Sequence, residues 1–206
     1  MTPALALVAA LLLAADPAPS RDELKALDRD EAAAEAAADA GDVREALRYF
    51  DYFGHEHEAF AAAVLEYGRA QRRLRRAVVG AFGDEAWADA ARALGVPRRR
   101  GGEGRSVRRD GAVLYVKNPG ATHEVPYVRV DGVWKLSLRD VLLTAVRARF
   151  GADVAVEESD LHVLAGKMAK VVQARAKSLS DLAESVRARR VRSGEELRKA
   201  VEALRR

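Results

Sequence analysis

Apolar residues recur every three to four positions in the first half of the chain, every second position in a central block, and every three to four again towards the end. That order predicts helices, then strands, then helices. Ser20, with Glu23 three residues on, forms a capping box opening a helix that carries Leu24 and Leu27 and runs to Ala40. Gly41 stops it, and Asp42 with Glu45 caps a second helix bearing Val43, Ala46, Leu47 and Phe50. Gly54 breaks the chain after the aromatic cluster Tyr49, Phe50, Tyr52 and Phe53. A third helix is expected from about His55 to Phe82. Its stripe is His57, Phe60, Val64, Tyr67, Gln71, Leu74 and Val78, with Arg69, Arg72, Arg73 and Arg76 on the other side. A fourth, from Glu85 to Leu94, carries Trp87 and ends before Gly95-Val96-Pro97.

From Arg105 the period becomes two. Arg105–Arg109 and Ala112–Lys117 flank Asp110-Gly111, and His123–Val130 and Val133–Leu138 flank Asp131-Gly132. Asp-Gly between β-prone runs predicts a tight hairpin. Asn118-Pro119-Gly120 joins the two hairpins. Four strands make a curved antiparallel sheet whose apolar face needs the helices as cover. Val141, Leu142, Ala145 and Val146 drive a helix ending at Gly151, and a longer one carries Leu161, Leu164, Met168, Val171 and Val172. Ser180-Asp181 reads as the restart of a segment with Leu182 and Val186, and Ser193 with Glu196 caps a last helix. The fold class expected is therefore α+β: N-terminal helices packed on a curved four-stranded antiparallel sheet, followed by C-terminal helices.

Composition adjusts this picture in three places. Of the 206 residues 49% are apolar but only 6% aromatic, and much of the apolar share is alanine, so the core is thin and the helices are many. No cysteine is present, which excludes disulfides, thiolate metal sites and a thiol nucleophile. The run from Ala4 to Ala15 is too short to span a bilayer and has the length of a signal-peptide core, followed by Asp16-Pro17-Ala18-Pro19. The expected organisation is a signal peptide over 1–18, a helix-plus-sheet domain over 19–140 and a C-terminal helical extension over 141–206. The expected location is periplasmic or secreted, with no membrane span after cleavage. The net charge of +4 is unevenly spread, with an acidic stretch up to Glu66 and a basic one from Arg69 to Arg109. Arg98–Gly104 reads as a solvated loop. Arg187, Arg189, Arg190 and Arg192 read as a solvated helix end, since no interleaved aromatics or nucleic-acid module surround them. No nucleic acid partner is expected.

The segment Tyr127-Val128-Arg129-Val130-Asp131-Gly132-Val133-Trp134-Lys135-Leu136 resembles the closing hairpin of the NTF2-like (SnoaL-like, cystatin-like) superfamily, and Ala40-Gly41-Asp42-Val43 resembles the start of the same fold. The resemblance, over about residues 20–140, implies a cone-shaped sheet closed around a pocket. Isomerases, dehydratases and many exported proteins without known activity share that architecture. Against it stand the four helices before the first clear strand and the long helical tail.

Candidate chemistry is sparse. Pocket candidates are Tyr49, Tyr52, His57, Tyr67 and Gln71 on the helical part, and Tyr115, His123 and Tyr127 on the sheet. A histidine near tyrosines suits a ligand contact or a general base. His55-Glu56-His57-Glu58 lacks the four-residue histidine spacing of a helical zinc site. No catalytic residue, metal ligand or cofactor is assigned. The leading expectation is an exported, non-enzymatic protein that binds a small apolar ligand or a partner protein. The alternatives are a helical structural or assembly protein, self-associating through its C-terminal helices, and a cone-fold isomerase or dehydratase.

Overall fold

The computed structural model describes residues 18–96, 104–119, 121, 123–151 and 153–204. The signal-peptide segment lies outside these residues apart from its last position, and so does nearly all of the Arg98–Gly104 loop. Helix α1 is Arg21–Ala40, α2 Val43–Leu47, α3 His55–Phe82 and α4 Asp84–Leu94; strands β2 to β5 are Ser106–Asp110, Val113–Lys117, Val125–Val130 and Val133–Ser137. Helices α5 (Leu138–Phe150), α6 (Glu158–Arg187) and α7 (Gly194–Ala203) follow, and a two-residue strand β1, Phe50–Asp51, sits between α2 and α3.

Local chemistry fixes many of the boundaries. The Ser20 hydroxyl accepts the Glu23 N–H at 3.2 Å, and the Glu23 carboxylate accepts the Ser20 N–H at 2.9 Å. Two otherwise unpaired donors are satisfied in this way. Asp42 caps α2 by accepting the Glu45 N–H at 2.9 Å, and Ser193 caps α7 by accepting that of Glu196 at 3.2 Å. In the β4–β5 hairpin both turn residues take positive φ, 52° at Asp131 and 81° at Gly132. A two-residue turn with that pair of angles follows the right-handed twist of its strands.

The sheet has the order β1-β5-β4-β3-β2. Strands β2 to β5 form an antiparallel meander, but β1 runs parallel to β5, with Phe50 opposite Leu136. The Leu136 N–H donates to the Tyr49 carbonyl at 2.9 Å. The expected curved, four-stranded antiparallel sheet is therefore corrected to an open five-stranded mixed sheet, neither closed nor curled. The cone implied by the NTF2-like resemblance falls with it. Parallel pairing needs a crossover connection. Here that connection contains α3, α4 and three strands, so nothing local at Phe50 announces the pairing. A second correction concerns Ser180-Asp181, which restarts nothing: α6 is continuous from Glu158 to Arg187. Ser178 and Ser185 turn their hydroxyls back onto the carbonyls of Ala174 and Asp181, at 3.1 and 2.9 Å, and so fit inside the helix.

Helix α1 covers one sheet face, where Leu27 packs with Leu114, Val116 and Trp134. Helix α5 lies against β4 and β1. The largest helix contact joins α3 to α6. Phe60, Ala61 and Leu65 share a cluster with Leu161, Ala165 and Ala169, while Leu74 and Val78 share another with Leu179 and Val186. The two helices therefore run in the same direction. Their seam repeats every seven residues: Ala63, Ala70 and Ala77 on α3, and Ala169, Ala176 and Ala183 on α6, are all buried. Phe60, Tyr67 and Leu74 fill the alternate positions on α3, as Ala165, Val172, Leu179 and Val186 do on α6. This is the spacing of a coiled-coil seam, with alanine permitting close approach.

Candidate functional site

A cleft of about 140 Å³ opens between α1, α3 and the sheet. Ala34, Ala38 and Gly68 form one side; Phe50, Leu65, Trp134 and Leu136 form the floor. The small residues Ala34, Ala38 and Gly68 leave the space, which the Arg72 side chain crosses at its edge to reach Asp39. The acids along it are engaged. Buried Asp30 accepts the Trp134 backbone N–H at 2.9 Å and pairs with Arg29 at 2.9 Å. Glu31 accepts the Tyr127 hydroxyl at 2.5 Å and meets Arg105 at 2.9 Å. Arg72, at the edge, donates to Asp39 at 2.5 Å. The buried Asp30 carboxylate persists because it is paired in this way. The indole N–H of Trp134 is buried without a hydrogen-bond partner.

Of the residues expected in a pocket, Tyr49 and Tyr127 line this cleft. The other six lie elsewhere. Tyr52 packs against the first core cluster, and Tyr67 belongs to the helix seam. Gln71 is half-buried on α3. Tyr115 lies one strand position away from Leu114 and Val116 and so on the sheet face away from α1; Arg108 stacks over its ring, 4.0 Å from the centroid. Burial, helped by Asp140, pushes the Tyr115 hydroxyl up from its ordinary value. His123 is exposed ahead of β4.

His57 is fully buried, and neither ring nitrogen has a hydrogen-bond partner. Phe53 and His162 enclose it, with ring centroids 4.3 and 5.0 Å away. Burial first, and His162 second, push its pKa below the usual histidine value. His55 is exposed, so the two histidines of the His-Glu-His-Glu segment do not converge. No group of three or more metal-ligating side chains gathers among the described residues. General-base chemistry needs a base within hydrogen-bonding reach of a reacting group. The sealed imidazole and the paired carboxylates of the cleft offer none in this arrangement.

Asp30 and Glu31 are not among the candidates that the sequence offers. The available signal was that Asp30 stands three positions beyond Leu27, on the inward side of α1. No protein-family profile, curated protein or solved structure matches this chain.

Proposed function

We propose that the protein is an exported, non-enzymatic helical assembly module that associates with a second copy of itself through α5 and α6. The observation that carries this reading is where the exposed apolar side chains fall. Among the described residues, the large hydrophobic side chains left exposed are Val43, Phe150, Val163 and Val171, at 40, 71, 58 and 51%. Three of the four belong to α5 and α6. Val163, Lys167, Val171 and Ala174 share the outer side of α6, away from its seam with α3. Exposed apolar side chains grouped on one element mark association surfaces more often than scattered ones do. The continuous α3–α6 pair gives that surface a rigid backing. The run Ala4–Ala15 supports export, and no described helix is long and apolar enough to cross a membrane. Sedimentation equilibrium over a concentration series tests the reading. Self-association that weakens in the Val163→Glu/Val171→Glu variant is expected, and a monomer at all concentrations would remove it.

The cleft beside Trp134 supports a second reading, binding of a small apolar molecule. Its 140 Å³ suits a ligand of about benzene size, well below the several hundred Å³ common for larger ligands. Xenon or benzene uptake, followed by Trp134 fluorescence and abolished in Gly68→Leu, is the corresponding test.

A further inference from the structure

At the end of the α3–α6 pair opposite His57, the C-terminal turns of both helices frame an open groove of about 630 Å³. Four arginines line it: Arg76 from α3, and Arg187, Arg189 and Arg192 from the end of α6 and the turn beyond. Phe82, Val186 and Val191 supply apolar wall, and no acidic residue lines it. Arg187 pairs with Glu184 at 2.9 Å. Arg76, Arg189 and Arg192 have no carboxylate within ion-pair distance among the described residues.

Complementing helix ends does not account for this much charge. The four guanidinium groups carry +4 and Glu184 returns −1. The two helix C-termini add roughly −0.5 each. With the Glu196 carboxylate, which accepts the Arg192 backbone N–H at 2.6 Å, counted as a further −1, a surplus of about one positive charge remains at the groove.

Arg189 adds an independent observation. Helix α6 ends in a Schellman turn, with the Arg189 N–H on the Val186 carbonyl at 3.0 Å and the Arg190 N–H on that of Ser185 at 2.9 Å. The residue after the cap in such a turn is left-handed, and glycine is the residue that fits there without strain. Helices α1 and α4 end in the same turn, with Gly41 and Gly95 at the left-handed position. Only at α6 does an arginine, Arg189 at φ 55°, take the left-handed position after the cap. A strained arginine where the chain elsewhere uses glycine, on the wall of a groove rich in unpaired arginines, indicates that its side chain is needed there.

We propose that this groove binds a phosphate-type oxyanion carried on an apolar body. Arginine forks hold the oxyanion bidentately, and Phe82, Val186 and Val191 contact the apolar part. The inference is independent of self-association through α5 and α6. The shared chemistry is the phosphomonoester, free or as a lipid headgroup.

Titration calorimetry of the purified protein with phenyl phosphate tests it, alongside Arg189→Gly and Arg76→Gln/Arg192→Gln. Wild type should bind saturably, with affinity falling as salt rises. Arg189→Gly should raise the melting temperature by a few degrees, because the strain is relieved, and should weaken binding about tenfold or more. That opposed pair of effects separates loss of the site from loss of the fold. Arg76→Gln/Arg192→Gln should also weaken binding at unchanged melting temperature. Phosphatidic acid vesicles identify the source. Co-sedimentation competed by phenyl phosphate assigns the site to a lipid headgroup, and phenyl phosphate binding without co-sedimentation assigns it to a soluble phosphate ester. Absence of saturable phenyl phosphate binding overturns the proposal, as does binding that Arg189→Gly leaves unchanged.

Discussion

Replacing His57 by leucine should flatten the pH dependence of folding stability. A neutral imidazole carries one N–H and one bare nitrogen, and in His57 both are buried without partners. Leaving such a group unsatisfied costs about 1–3 kcal/mol. Leucine removes that cost but forfeits the ring contacts with Phe53 and His162, each worth about 0.5–1.5 kcal/mol. The two effects nearly cancel, so the variant should lie within about 1 kcal/mol of wild type at pH 7.5. The pH slope separates the proteins more sharply. Burial and His162 lower the folded pKa of His57, against weaker opposing pulls from Glu56, Glu158 and Asp51. Below the ordinary histidine value of about 6.5 the unfolded chain binds a proton that the folded chain refuses. The stability is therefore full above that value and declines as the pH falls through it, by at most about 1.4 kcal/mol per pH unit. Urea denaturation at pH 7.5, 6.5 and 5.5 measures this. Wild type should lose up to about 1.4 kcal/mol more than His57→Leu over this range. Parallel curves would refute the reasoning. So would a loss above about 2 kcal/mol in the variant at pH 7.5, since it would mean that the ring nitrogens make bonds worth keeping.

Leu27→Ala should cost about 2–5 kcal/mol in chemical denaturation, because Leu27 is the fully buried contact of α1 with Leu114 and Trp134. Gly54→Ala should destabilise by about 1–3 kcal/mol, since Gly54 has φ 79° and an added Cβ would stand 2.8 Å from His162 Cε1. The Ser20 backbone N–H, with Arg109, lowers the Glu23 carboxyl from 4.5 to about 2. Its contribution is present above the mid-4 range and lost as the pH falls towards 2, so Glu23→Gln should be less stable than wild type at pH 7 and converge with it near pH 2 in thermal melts.

Local signals carried the helix and hairpin boundaries. Capping residues at Ser20, Asp42 and Ser193 and the Asp131-Gly132 turn act within a few positions of themselves, so their structural consequences can be read from the residues alone. The sheet's fifth strand could not be read that way. Phe50 and Asp51 form two residues of strand only because Leu136 and Ser137 offer a free edge far along the chain. The helix seam was hidden for a different reason. The stripe read from His57, Phe60, Val64, Tyr67, Gln71, Leu74 and Val78 includes the large seam residues Phe60, Tyr67 and Leu74 but passes over the alanines between them, Ala63, Ala70 and Ala77, on which the close contact with α6 falls. Alanine contributes little apolar area, so a seam built on it barely registers in a hydrophobic pattern. The candidate site fared similarly. Tyr49 and Tyr127 reach the cleft, but Tyr115 alternates to the other sheet face because side chains along a strand point to opposite sides.

Hydroxyl-radical footprinting at dilute and concentrated protein, read residue by residue, tests the assembly account most directly. Phe150, Val163 and Val171 should lose reactivity at high concentration, while Val43, exposed at 40% on α2, keeps its own. Unchanged reactivity at all four residues, or protection confined to Val43, would contradict self-association through α5 and α6.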